Sequence, residues 1–60
     1  MSWREKEYLG INDLRDILGI RESSAYALMH RLPHIKVGKT LRVNRVAFEQ
    51  WLKEQERKNA

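Results

Sequence analysis

The chain has sixty residues, twelve of them Lys or Arg and eight Asp or Glu, for a net charge of +4, and it has no cysteine. That length allows one domain, burying only ~60% of its unfolded surface, and excludes a cofactor fold such as a Rossmann unit, whose first βαβ alone takes ~30 residues. Disulfides and Cys-ligated zinc are excluded as well, and no apolar run suits a membrane span or a signal peptide, so a cytoplasmic protein is expected.

Residues 1–7 mix charges around a single aromatic, Trp3, and read as a flexible arm that Trp3 or Tyr8 could pin to apolar surface. From Ile11 the apolar positions Ile11, Leu14, Ile17 and Leu18 fall on one helical face. Gly10 is an acceptable N-cap and Asp13 suits the positive end of the helix. Gly19 stands where a left-handed residue ends a helix, with Ile20 after it to pack back. The first helix is therefore expected over 11–18. A second apolar stripe, Ala25, Leu28, Met29 and Leu32, predicts a helix starting near residue 21 or 22. Pro33 forces Leu32 to extended geometry and stops it. Two short helices joined through a glycine make a helix-turn-helix, held from inside by Leu14, Leu18, Ile20, Ala25 and Leu28.

The period then changes. Ile35-Lys36-Val37 and Leu41-Arg42-Val43 alternate apolar and basic residues around Gly38-Lys39-Thr40, a hairpin signal. Its expected inward face is Ile35, Val37, Leu41 and Val43, and its outward face Lys36 and Arg42. Asn44 caps a third helix that carries Val46 or Ala47, then Phe48, Trp51 and Leu52, on one face as far as Lys53 or Gln55. The polar tail 54–60 is expected to be flexible. The whole reads as mostly α with a small β-hairpin, a winged helix-turn-helix of three helices and a two-stranded wing over 8–53.

Charge is unevenly placed. Residues 1–20 carry a net −1 and residues 46–60 a net zero, so the excess lies in residues 21–45, where six cations face Glu22 alone for a net +5. A basic block between neutral segments is the electrostatic footprint of a nucleic-acid surface, or of a face kept charged for solubility.

The runs Tyr8-Leu9-Gly10-Ile11 through Leu18-Gly19-Ile20, Ser23-Ser24-Ala25-Tyr26, Ile35-Lys36-Val37-Gly38-Lys39 with Leu41-Arg42-Val43-Asn44, and Phe48-Glu49-Gln50-Trp51-Leu52 together resemble the excisionase-type DNA-binding family, related to MerR-like winged helices. The likeness covers residues 8–52. It implies a second helix in the major groove and a wing on the neighbouring backbone or minor groove of double-stranded DNA. Helix residues implied to face DNA are Arg21, Glu22, Ser23, Ser24, Tyr26, Ala27 and His30, with Arg31 a further cation of the same block. In the wing they are Lys36, Lys39, Thr40 and Arg42. Hydroxyls of Ser23 and Ser24, or the helix N–H groups, suit a phosphate. Tyr26 suits a phosphate or a thymine methyl, and Glu22 either reads a cytosine amine or caps the helix. Two positions depart from the family pattern: a cation is usual where Ala27 stands, and a small residue where Arg15 stands.

Relatives of this type include excisionases that bend DNA and steer an integrase, phage and plasmid transcriptional regulators, and DNA-packaging proteins. The implied partners are thus DNA, an integrase, or adjacent copies on repeated sites. A reading of another class is an interaction module whose basic face meets an acidic protein. Catalysis is not expected, because Ser23 and Ser24 lack an arranged His and acid. No cofactor and no metal are expected either: His30 and His34 are four apart, but Pro33 breaks the helix that would align them. Asp13 and Asp16 read as a solvated or partner-facing side of the first helix. Phe48 and Trp51 read as core.

Overall fold

The computed structural model describes residues 2–58. Residues Trp3–Glu5 form one 3-10 turn, followed by β1 (Tyr8–Leu9), α1 (Ile11–Leu18), α2 (Glu22–Arg31), β2 (His34–Val37), β3 (Thr40–Asn44) and α3 (Arg45–Lys58). Each helix ends where local chemistry demands. Gly19 sits at φ 63°, ψ 38°, the left-handed region a glycine enters freely, and its N–H and that of Ile20 both reach the Arg15 carbonyl. Leu32 is extended at φ −97°, ψ 156°, as a residue before proline must be, and closes α2. Asn44 caps α3 through Oδ1, which accepts from the N–H groups of Val46 at 2.8 Å and Ala47 at 3.3 Å.

The core is one cluster. Leu9, Leu14, Ala25, Leu28, Met29, Leu32, Val43 and Phe48 are buried, and Trp3, Ile11, Ile17, Leu18, Ile20, Leu41, Trp51 and Leu52 pack around them. The apolar stripes of α1 and α2 thus meet each other and the inner face of the sheet. Of the two alternatives on α3, Ala47 turns inward while Val46 stays exposed.

Four expectations are corrected. First, the wing is part of a three-stranded antiparallel sheet of order β1-β3-β2, because Tyr8 pairs with Asn44 and Leu9 with Val43. Two residues are too few to show a period of two, yet they cover the outer edge of β3 and place Leu9 in the core. Second, the hairpin turn has two residues, not three. Val37 pairs with Thr40, Gly38 takes φ 62°, and no other residue at the turn has positive φ, the sign pattern of a type II′ turn. Shortening the connection by one residue shifts the register and turns β2 over. Ile35 lies opposite Arg42 and Val37 opposite Thr40, so both apolar side chains share Arg42's outer face, exposed at 47% and 57%. Leu41 and Val43 point to the core, and Lys36, expected outward beside Arg42, pairs with Leu41 and so stands on the opposite face from Arg42, exposed at the sheet edge.

Third, residues 2–7 are tied down. The Trp3 ring meets Phe48 edge-on, with centroids 5.4 Å apart and planes at 80°. Arg45 Nε donates to the Lys6 carbonyl at 2.8 Å, the Arg45 N–H to that of Glu7 at 3.0 Å, and Lys6 Nζ reaches Asp13 at 2.8 Å. Fourth, α3 runs on to Lys58. Its last turns are built from Lys, Glu, Gln and Arg, all good helix formers, with Glu54 and Lys58 at the favourable i,i+4 spacing. Of the residues assigned to the arms, Met1, Asn59 and Ala60 lie outside the described residues.

Candidate nucleic-acid interface

Burial of Ala25, Leu28 and Met29 fixes which side of α2 meets the core, and so which side meets solvent. The outer side carries Glu22, Ser23, Ser24, Tyr26, Ala27, His30 and Arg31, all exposed, with Arg21 exposed at the N-cap position. The wing presents Lys36 on β2, Lys39 in the turn and Thr40 on β3, also exposed, while Arg42 is half-buried. Ser23 and Ser24 stand in the first turn of α2, beside its unsatisfied N–H groups.

Between α2 and the wing runs an open groove of about 560 Å³. Glu22 and Tyr26 line one side of it, and Lys39, Thr40 and Arg42 the other. The structure therefore brings together five of the sequence-derived residues. Arg21, Ser23, Ser24, Ala27, His30, Arg31 and Lys36 lie outside this groove, on the open surface of α2 and β2. Tyr8, Gly10 and Asn12 also line the groove, and nothing in the sequence singled them out as site residues. Their membership follows from β1, which carries the start of α1 alongside β3.

Thr40 Oγ1 donates to the Val37 carbonyl at 2.8 Å, closing the hairpin turn and leaving its lone pairs outward. The Arg42 guanidinium donates through Nη1 to the Leu41 carbonyl at 3.0 Å. The His30 and His34 rings meet edge to face at 5.4 Å, and His34 Nδ1 lies 2.8 Å from the Leu32 carbonyl oxygen. This packing ties the end of α2 to the start of β2. Glu22 makes no capping hydrogen bond among the described residues, so the capping role is not found. Its carboxylate lies 3.9 Å from Arg15, which points outward and leaves the α1–α2 crossing closed.

Ion pairing divides the cations into two groups. Arg4, Lys6, Arg15 and Arg45 each reach a carboxylate. Among the described residues, Arg21, Arg31, Lys36, Lys39 and Arg42, on α2 and the wing, form no ion pair, and neither do Lys53, Arg57 and Lys58 on the last turns of α3, where Glu49, Glu54 and Glu56 balance them. The charge excess of the central segment is thus left free for a ligand. At the groove floor, burial raises the Asp13 pKa, but the Lys6 ammonium, the Gly10 N–H at 2.9 Å and the charge of Arg42 outweigh it, holding the carboxyl below its ordinary value. Asp13 is therefore ionised and already neutralised from within.

No helix among the described residues is long and apolar enough to cross a membrane. No curated protein and no solved structure matches the chain. A family model described as a helix-turn-helix domain matches residues 8–56, from β1 into the last turns of α3. With α1, the Gly19 turn and α2 in place and most of its length matched, the chain belongs to the helix-turn-helix family of DNA-binding domains.

Proposed function

We infer that the chain binds double-stranded DNA by laying the outer side of α2 in the major groove while the β2–β3 wing follows the adjacent backbone. The observation that carries this reading is the set of five unpaired cations on α2 and the wing, where Glu22 is the only acid, whereas the three unpaired cations of α3 stand among three glutamates. Arg21, Glu22, Ser23, Ser24, Tyr26, Ala27, His30 and Arg31 form the helix contribution. Lys36, Lys39, Thr40 and Arg42 form the wing contribution. Tyr26 is the side chain of this set best suited to an apolar contact with a thymine methyl.

Its specific role is excisionase-like. The chain bends a recombination site and steers an integrase, in several copies on repeated sequences. The resemblance in residues 8–52 supports this, and so does the small number of free cations on α2 and the wing. Each neutralised phosphate contributes only ~0.9 to the salt slope, so five cations support a slope of about 4.5 at most. That is a weak single-site binder, which cooperation on repeated sites would strengthen. Anisotropy titration of a labelled mixed-sequence duplex between about 50 and 200 mM salt tests the first claim. Salt-dependent binding weakened in both Tyr26→Ala and Arg42→Ala is expected, and binding left unchanged by both substitutions would refute the interface. A gel assay of DNA bending then separates excisionase-like action from simple regulation at a promoter.

A further inference from the structure

Gly10 has no conformational reason to be glycine. Its backbone is at φ −98°, ψ −178°, extended geometry that any residue adopts. It also occupies the N-cap of α1, where Ser, Asn or Asp would supply a side-chain acceptor that glycine lacks. The reason for its smallness lies across the sheet. Continuing the β1–β3 register one step beyond Leu9–Val43 sets Gly10 opposite Arg42. A Cβ on Gly10 would stand 2.8 Å from Arg42 Nη1 and 3.3 Å from its Cζ. The guanidinium therefore lies over the bare backbone of Gly10, on the floor of the groove between α2 and the wing. One of its five N–H donors is used by the Leu41 carbonyl, and no other hydrogen bond from the guanidinium occurs among the described residues.

We propose that Gly10 is a positioning residue, which seats the Arg42 guanidinium in the α2–wing groove as a pre-organised cation for one phosphodiester of bound duplex DNA. The proposal rests on the DNA-binding reading above and goes beyond it by naming the seat and what holds it. Arg42 is half-buried where the other free cations are exposed, so it loses less side-chain freedom on binding. A planar fork held in one place matches a phosphate better than a mobile ammonium does. Tyr8 and Tyr26 border the same groove, and their hydroxyls are neutral donors suited to the same phosphate. Asp13, near enough for the charge of Arg42 to help lower its pKa, accepts hydrogen bonds from Lys6 and the Gly10 N–H rather than from the guanidinium.

Because the Gly10 clash is with the tip of a flexible side chain, a methyl there displaces Arg42 without breaking the fold. This makes Gly10→Ala a clean perturbation. The experiment compares native chain, Gly10→Ala, Gly10→Ser, Arg42→Ala and the Gly10→Ala/Arg42→Ala double variant on one mixed-sequence duplex, with salt slopes. Amide spectra and the Arg42 Nε–Hε resonance are recorded alongside. The expected result is that Gly10→Ala keeps the native amide pattern, moves the Arg42 side-chain signal and loses roughly tenfold in affinity. Its salt slope falls by about 0.9, as in Arg42→Ala, and the double variant loses nothing more. Gly10→Ser should melt higher through its new cap yet bind more weakly, a divergence that a purely structural role would not produce. Native binding by Gly10→Ala, or a loss that adds to that of Arg42→Ala, would overturn the positioning role. Full affinity and slope in Arg42→Ala would overturn the phosphate seat. Failure of the native chain to bind duplex at all would remove the DNA reading itself, a result distinct from these.

Discussion

Truncating Trp3 tests whether the first residues belong to the fold. The ring is partly buried, edge-on to Phe48, which in turn stacks on Trp51 at 5.9 Å. A tryptophan buries ~150–250 Å² in full; burial of about half of that at ~25 cal/mol per Å², less ~1 kcal/mol for ordering the side chain, leaves about 1.5 kcal/mol. The edge-to-face pair adds ~0.5–1 kcal/mol, while Arg4 over the ring at 4.5 Å adds little because it is exposed. Trp3→Ala should therefore cost about 2 kcal/mol, a large share of the ~3–5 kcal/mol that a single core of this size supplies. At ~4–8 °C per kcal/mol for a domain this small, the midpoint should fall by about 8–16 °C. Thermal melting followed by far-UV circular dichroism measures it, since the helices report unfolding without relying on the removed fluorophore. A drop of less than about 2 °C would mean that residues 2–7 behave as the free arm their composition suggests, and that the Trp3–Phe48 contact contributes nothing.

Three further outcomes follow from the register, the caps and the groove. Val37→Thr and Ile35→Thr on the outer face should change stability by less than about 0.5 kcal/mol, whereas Val43→Ala in the core should cost about 2 kcal/mol; equal costs in denaturant melts would contradict the two-residue turn. Asn44→Ala removes the acceptor for two N–H groups of α3 and should cost about 1 kcal/mol, concentrated as faster amide exchange in the first turn of that helix. Asp13 has a folded-state pKa below its ordinary 3.8, so its contribution is complete above that value and is lost as pH falls through the lower folded value. The native chain should lose stability on acidification below about pH 4, and Asp13→Asn should show a smaller drop; parallel pH profiles would contradict the Lys6–Asp13–Gly10 arrangement.

The three helices were legible because their signals are local: apolar spacing on α1 and α2, Gly19 at a left-handed stop, Pro33 after Leu32 and Asn44 as a cap. What the sequence did not reveal depends on distant partners. Tyr8-Leu9 becomes a strand only because β3 has a free edge beside it. Trp3 is anchored by Phe48, and Lys6 by Arg45, residues that are near only after folding. The inward reading of Ile35 and Val37 failed on a single residue of turn length, since alternation gives two faces but not which one is buried. For the site, the basic block and the exposed side of α2 could be read from charge and period. The groove could not, because it needs the wing, α2 and the start of α1 at once. Gly10 resembled an ordinary helix cap until β1 was seen to set it opposite Arg42.

The most direct measurement is amide NMR of the isotope-labelled chain, titrated with mixed-sequence duplex DNA at low and high salt. The predicted result is shifts concentrated in residues 21–31 and 36–42 that fade as salt rises, with Tyr8 and Gly10 moving in step with Arg42. Shifts confined to Asp16 and its neighbours on α1 or to the last turns of α3, or no shifts at all, would contradict a DNA-binding face built from α2 and the wing.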